Sequence, residues 1–213
     1  MSYSAIGTGQ ISFDPPDAPA REIMEFTLVY WDTTLKAAST NNKRSWEKHQ
    51  IRLALSEQLE NLWKVNPSLH SEDPLGQIQD GLAQNYERCG VGFIPLVLEK
   101  WCLVCTLDIT LLRPGVAGRI VSPVGDLDNQ IKVLLDALRL PKDKGEMQLS
   151  PGEVNPSRIY CLLEDDKLIT SIRVSSSQLL VSKTAQPSEA CILLRVKVSS
   201  TNVGSSPWAF GLA

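Results

Sequence analysis

Histidine and regularly spaced cysteine, two common sources of metal ligands, are scarce in this sequence. The chain of 213 residues has two histidines and five irregularly spaced cysteines, an odd number that argues against a disulfide framework. Cys102 and Cys105 form the one CxxC, in a strand-like run where residues three apart point to opposite faces. Neither histidine has ligand spacing to this pair. We therefore expect buried strand cysteines rather than a zinc or redox site.

The sequence also lacks a long apolar run and an excess of basic residues. No stretch approaches the roughly 20 apolar residues of a membrane-spanning helix. Residues 1–21 lack the basic start and apolar core of a secretory signal, so we expect a cytoplasmic protein that makes no membrane contact. The net charge is −3, which by itself gives no support for nucleic-acid binding. No glycine-rich phosphate loop and no internal repeat is present.

What is present is the hydrophobic periodicity of an ordinary globular domain. It predicts two main helices, at 45–65 and at 129–140, the second ended by Pro141, and a short helix at 75–86. Strand-like runs rich in β-branched residues occupy 23–31, 93–98, 103–112, 159–163, 168–174 and 191–199. This order predicts a single α+β (mixed α/β) domain at 21–200 with one mixed sheet. An irregular arm at 1–20 and a loose tail at 201–213 flank it.

Basic residues are concentrated locally even though the whole chain is acidic. Positions 36–52 hold five lysine and arginine residues and one acid, and a smaller basic group follows the second main helix. Phosphate contacts depend on such local charge. The residues that we expect to contact nucleic acid are Lys36, Lys43, Arg44, Lys48, Arg139, Lys142 and Lys144.

Two acidic pairs are the most informative feature of the sequence. Asp126 and Asp128 stand at the start of the second main helix with Lys132 four residues on, and Asp165 and Asp166 lie in a strand-like segment. Mg²⁺ and Mn²⁺ prefer oxygen ligands of this kind, and a helix N-terminus favours a phosphate.

A plainer interpretation of each motif stays open. The first acids would also make a good N-cap, Lys132 and Asp136 could form a solvated i,i+4 pair, and the second acidic pair could be an exposed turn.

The pattern D-x-D-N-x-x-K, followed by LLDAL and later by LLEDD before a strand, resembles the RusA-type Holliday junction resolvases. The resemblance implies that Asp126, Asp128 and Asp166 bind a divalent metal, Mg²⁺ or Mn²⁺, with Asp165 beside them. It implies Lys132 as an assisting cation. It further implies a homodimeric endonuclease that cuts branched DNA in recombination and repair. The chain departs from the family in its long 142–158 loop and its acidic net charge.

Two other functions stay open at this point. The chain could be a non-catalytic nucleic-acid-binding or regulatory protein on the same scaffold, or a metal nuclease that acts on flaps, duplex or RNA. The complete set of three acids and a lysine favours an enzyme, because unpaired clustered carboxylates repel one another.

Overall fold

The computed structural model describes residues 21–32, 41–72, 75–113, 127–149, 152, 154–180 and 190–201. Two β-sheets and four α-helices lie within these ranges. The predicted arm at 1–20, and the tail at 201–213 apart from Thr201, lie outside them. None of the helices within these ranges has the length and apolar character needed to cross a membrane.

The larger sheet contains four strands in the order β1-β7-β4-β6. They are β1 (Arg21–Asp32), β4 (Leu103–Arg113), β6 (Ile169–Gln178) and β7 (Ala190–Ser200). β7 is antiparallel to both β1 and β4, whereas β6 is parallel to β4. Alternate residues of β4, such as Leu107 and Ile109, are buried, which is the pattern of a sheet with one face on the core.

The smaller sheet has the order β2-β3-β5. Its strands are β2 (Glu87–Arg88), β3 (Val91–Val97) and β5 (Arg158–Leu163), and β3 and β5 are parallel. One 3₁₀ turn, Glu99–Trp101, leads from β3 into β4, and another, Asp166–Leu168, leads from β5 into β6. Two parallel strand pairs therefore pass side by side from one sheet into the other.

The helices are α1 (Asn41–Val65), α2 (Pro67–Glu72), α3 (Gln77–Asn85) and α4 (Leu127–Leu138). α1 packs against α4, β5 and β1. Its apolar face, which includes Leu55 and Leu59, is buried. From α4, Leu134 and Leu138 are buried in the same core. The apolar periodicity of both helices thus gives a shared core above the sheets.

The α+β fold class predicted from the sequence is confirmed, with several differences in detail. The strands form two sheets instead of one, α2 was not predicted, and α4 lies two residues earlier than predicted. Cys102 precedes β4, in a turn with φ of 53°. Asp165 and Asp166 lie in a turn and not inside a strand, because the Asp165 carboxylate accepts a hydrogen bond from the backbone N–H of Lys167 at 3.0 Å.

A substitution of Gly92 in β3 tests the packing of α3 on the smaller sheet. A Cβ there would lie 2.9 Å from Ala83 Cβ and 3.0 Å from the Ala83 carbonyl oxygen. We expect Gly92→Ala to lower the free energy of unfolding by about 1–3 kcal/mol, as overpacking does. Gly81→Ala is the matched control, since no atom lies within 4 Å of a Cβ there and alanine favours helix by about 1 kcal/mol. Urea denaturation measures both, and equal effects would contradict the packing.

Candidate metal centre

The first acidic motif lies at the beginning of α4. α4 starts at Leu127, so Asp128 is its second residue. Asp126 lies outside the described residues, and the side chain of Asp128 is not among those described. Lys132 follows one turn later and is exposed, and no ion pair of its ammonium occurs within the described ranges. A cation in that position is open to a ligand near the helix start.

The second acidic motif forms the turn between β5 and β6. Asp166 is exposed, and Leu168 anchors the turn in the core. The pKa of Asp165 lies below its ordinary value, chiefly because the backbone N–H of Lys167 donates to its carboxylate, with smaller contributions from the charges of Lys167 and Lys142. Asp165 is therefore an anion at neutral pH.

A cleft of about 300 Å³ lies beside this turn. Its walls come from the ends of α3, α4 and β5 and from the two 3₁₀ turns. It is lined by Tyr86, Arg88, Glu99, Arg139, Leu140, Pro141, Lys142, Glu164, Asp165 and Lys167. Four basic and three acidic side chains line it, so the cleft has no strong net charge.

Glu164 is held by neutral donors in this cleft. Its carboxylate accepts from the Tyr86 hydroxyl at 3.2 Å and from the backbone N–H of Glu99 at 2.9 Å. Burial, and then the neighbouring charge of Glu164, raise the pKa of Tyr86 to about 12, so Tyr86 stays a donor. Glu164 thus connects the end of β5 to its neighbours. In the described ranges no three acidic, histidine or cysteine side chains come together as a metal site, a statement that does not cover Asp126 or the Asp128 carboxylate.

The two acidic motifs lie towards opposite ends of α4. The backbone of Arg139, just after the helix, forms an isolated parallel β-bridge with Leu163. The backbone N–H of Leu140 donates to the Leu163 carbonyl oxygen at 3.1 Å. Asp165 follows Leu163 by two residues. With a rise of 1.5 Å per residue, the backbone of Asp128 lies roughly 16 Å from that of Arg139. Two oxygens bound to one Mg²⁺ lie about 3 to 4 Å apart, since each is about 2.1 Å from the ion in octahedral geometry. The first motif thus lies at the start of α4 and the acidic turn follows the strand that is bridged to its end. That Asp128 and Asp166 of one chain hold one metal stays a prediction.

A buried ionic network fixes the C-terminal end of α4. Arg139 is 3% exposed and donates to Asp136 at 3.0 Å and to Glu146 at 3.0 and 3.2 Å. Lys48 of α1 pairs with Asp136 from the other side. Arg52, 1% exposed, donates to the carbonyl oxygens of Asp136 and Glu146. The network joins α1, α4 and the 3₁₀ turn Lys144–Met147.

The network corrects part of the predicted nucleic-acid surface. Arg139 as a phosphate contact is wrong, because its guanidinium is buried and already paired with two carboxylates. Lys48 has a side chain only 17% exposed and is paired with Asp136, so it is not a free cation. The solvated i,i+4 pair of Lys132 with Asp136, left open above as an alternative, is not seen among the described residues, where Asp136 pairs with Lys48 and Arg139. Sequence reasoning missed this network, because charged residues near a helix end usually lie in solvent.

The remaining basic residues of that prediction differ in how far the structure describes them. Lys142 and Lys144 are exposed. Lys36 lies outside the described residues, and the side chains of Lys43 and Arg44, in the first turn of α1, are not among those described. The exposed pair after α4 is thus the described part of the expected basic surface.

Comparison of the chain with protein-family models, with curated proteins and with solved structures finds no match in any of the three. The fold and the two acidic motifs define an α+β protein with a candidate divalent-metal centre.

Substitutions of Arg139 and Lys142 distinguish a cation that stabilises the fold from a cation on the surface. We expect Arg139→Met to lower the free energy of unfolding by about 3–5 kcal/mol, because it leaves the largely buried carboxylate of Glu146 without its charged partner and that of Asp136 with Lys48 alone. Lys142→Met, at an exposed position, should change it by less than about 0.5 kcal/mol. In DNA binding the order should reverse: Lys142→Met weakens it, and folded Arg139→Met protein does not. Urea denaturation and fluorescence anisotropy measure the two effects.

Acid should weaken the network through Asp136. Burial alone would raise the pKa of this carboxyl, but the hydrogen bonds and charges of Lys48 and Arg139 outweigh burial and lower it. Because the pKa of this carboxyl is lower in the folded state, its ionised form stabilises the protein at pH values above the unfolded-state pKa of about 3.9. That contribution is lost as the pH falls through the folded-state pKa. We therefore expect wild type to be more stable than Asp136→Asn at pH 7 and this difference to shrink below about pH 4. A difference that stays constant down to pH 3 would contradict the assignment.

Proposed function

We propose that this protein is a divalent-metal-dependent endonuclease that cuts branched DNA by phosphodiester hydrolysis, as the RusA-type resolvases do. The observation that carries the proposal is the acidic motif at the start of α4. Asp126 and Asp128 flank the first residue of this helix, and Lys132 is exposed one turn on. A second acidic turn, Asp165 and Asp166, directly precedes β6.

The chemistry of these residues fits a metal-assisted reaction. Mg²⁺ or Mn²⁺, held by Asp126, Asp128 and Asp166 with Asp165 alongside, would neutralise phosphoryl charge and make a water more acidic. The free N–H groups at the start of α4 favour a phosphate there. Lys132 would stabilise the negative charge that develops in the transition state.

The separation of the two motifs along α4 favours a homodimer. In a two-fold pair with antiparallel α4 helices, the start of one α4 lies at the end of the other, beside the partner's acidic turn. Each copy then contributes half of each metal site, and the pair has two equivalent sites. A four-way junction is itself roughly two-fold symmetric and needs two strands cut, so this arrangement suits branched DNA.

Local charge supports DNA contact despite the net charge of −3. Lys142, which lines the cleft at the acidic turn, and Lys144, two residues further on, are both exposed. Lys43 and Arg44 belong to the first turn of α1, and Lys36 precedes it in the sequence. Phosphate contacts of this kind make binding fall steeply with salt.

Cleavage of a labelled four-way junction, next to a flap and a linear duplex, tests the function. We expect paired nicks in the junction with Mg²⁺ or Mn²⁺, none in chelator, and at least about 100-fold slower cutting by Asp128→Asn. Asp108→Asn, a carboxylate on the larger sheet, is the matched control and should cut normally.

Each other outcome changes the proposal in a defined way. Metal-dependent cutting of flap, duplex or RNA would keep the site and change the substrate. A change in the electrophoretic mobility of the DNA without any cleavage would favour a binding or regulatory protein. If circular dichroism shows that the Asp128→Asn protein is unfolded, the role of Asp128 is that of a helix cap.

Mixing two inactive variants tests whether the site is shared. Asp128→Asn and Asp166→Asn should each be inactive alone. After subunit exchange, mixed dimers carry both substitutions in one site and none in the other, so activity should return to roughly a quarter of wild type. Mn²⁺ binding, measured by electron paramagnetic resonance, should return in the same mixture. No recovery after demonstrated exchange would place the whole site in one chain.

A further inference from the structure

We propose that the cleft beside the acidic turn binds a phosphate group of the DNA strand through Arg88, Lys142 and Lys167. The inference rests on the nuclease proposed above and deepens it, because it names the surface that holds the strand next to the acidic turn. Arg88 and Lys167 were not among the basic residues that the sequence indicated.

Two of the cations that line the cleft have no carboxylate partner. Arg88 and Lys142 are both exposed, and within the described ranges neither forms an ion pair. One N–H of the Arg88 guanidinium donates to the carbonyl oxygen of Glu87 at 2.8 Å, which leaves its other donors open to a ligand. Charged donors of this kind make strong hydrogen bonds to the oxygens of a phosphate.

The carboxylates of the cleft, in contrast, are engaged by the protein itself. The Glu164 carboxylate accepts from the Tyr86 hydroxyl and from the backbone N–H of Glu99. Asp165 accepts from the backbone N–H of Lys167, and Glu99 pairs with the Lys167 ammonium. Each of the three acids that line the cleft thus has a donor, whereas two of the four bases lack an acid. An anion that enters the cleft therefore meets open cationic donors.

Lys167 is the third cation, and its present partner is easily replaced. The side chains of Lys167 and Glu99 are both more than half exposed, and an exposed ion pair of this kind contributes little to stability. Lys167 directly follows Asp166 in the acidic turn. A phosphate that takes the place of Glu99 would therefore be held next to the acids of the candidate metal centre.

The backbones that carry Lys142 and Arg88 are fixed before any ligand binds. The backbone N–H of Lys142 donates to Glu146 Oε2 at 3.1 Å, and this carboxylate belongs to the buried network at the end of α4. Arg88 ends β2, which a two-residue turn of Cys89 and Gly90, with φ of 55° and 81°, joins to β3. Cations on fixed backbones lose less conformational freedom when they bind.

Binding of a labelled four-way junction in chelator tests the cleft without cleavage. We expect Arg88→Gln and Lys142→Gln each to weaken binding about threefold or more, and to lower the slope of log affinity against log salt concentration by about 1. Arg173→Gln is the matched control, since this exposed cation of β6 also forms no ion pair within the described ranges and does not line the cleft. Fluorescence anisotropy at several salt concentrations measures all three.

A substitution of Glu99 should act in the opposite direction. We expect Glu99→Gln to tighten binding about threefold, because it releases Lys167 for one further phosphate contact. The gain should be absent in a Lys167→Gln background. Glu60→Gln is the matched control, since it breaks another exposed acid–lysine pair, with Lys64, away from the cleft. Equal tightening by both substitutions would overturn the role of Lys167.

Inorganic phosphate in competition with the junction identifies the source of the group. A strand contacts the protein at several phosphates at once, so the junction should bind at least about 100-fold more tightly than inorganic phosphate. Equal affinity for the two would overturn the DNA strand as the ligand of the cleft.

The remaining outcomes separate the cleft from the nuclease. Arg88→Gln and Lys142→Gln proteins that bind the junction as tightly as Arg173→Gln would overturn the cleft, and metal-dependent cleavage by wild type would leave the nuclease proposal standing. Weakened binding by both variants, with no cleavage of any DNA by wild type, would support the cleft and overturn the nuclease. A folded wild type that binds no DNA would overturn both.

Discussion

The guanidinium of Arg139 holds together the parts of the molecule that carry both acidic motifs. It lies at the C-terminal end of α4 and pairs with Asp136 of that helix and with Glu146 of the following turn. Its backbone bridges Leu163, the last residue of β5. The end of α4 and the start of the acidic turn are therefore fixed to each other. Charged partners are needed here, since a buried guanidinium without them would cost several kcal/mol.

The two bends between the sheets give the acidic turn its exposure. β3 and β5 are parallel and mostly buried, and each chain segment turns through a short 3₁₀ helix before it enters the larger sheet. At such a bend the backbone polar groups need partners, and Asp165 supplies one by accepting from Lys167. The same residue thus caps the turn and presents a carboxylate, which is why a structural and a functional role for it are compatible.

Sequence periodicity predicted most of the elements because apolar side chains recur at helix or strand spacing in each of them. It could not predict the positions of the charged residues of the network. Arg52 donates to the carbonyl of Glu146, a residue 94 positions away, and no local pattern distinguishes such an inward cation from a solvated one. The acidic segment stayed open between a strand and an exposed turn, because LLEDDKLI is apolar on both sides of its acids. Its exposure became evident only from the bend between the sheets.

Under the proposed arrangement, metal binding and dimerisation are coupled. Carboxylates contributed by two copies repel each other when no cation is present, and a net charge of −3 on each chain adds to that repulsion. By mass action, a cation that binds only between the copies stabilises the dimer by about 2.7 kcal/mol when its free concentration is 100 times its dissociation constant. Association of the two copies and cation binding at the shared sites would therefore act on the same equilibrium. In such an arrangement divalent metal would control assembly as well as chemistry.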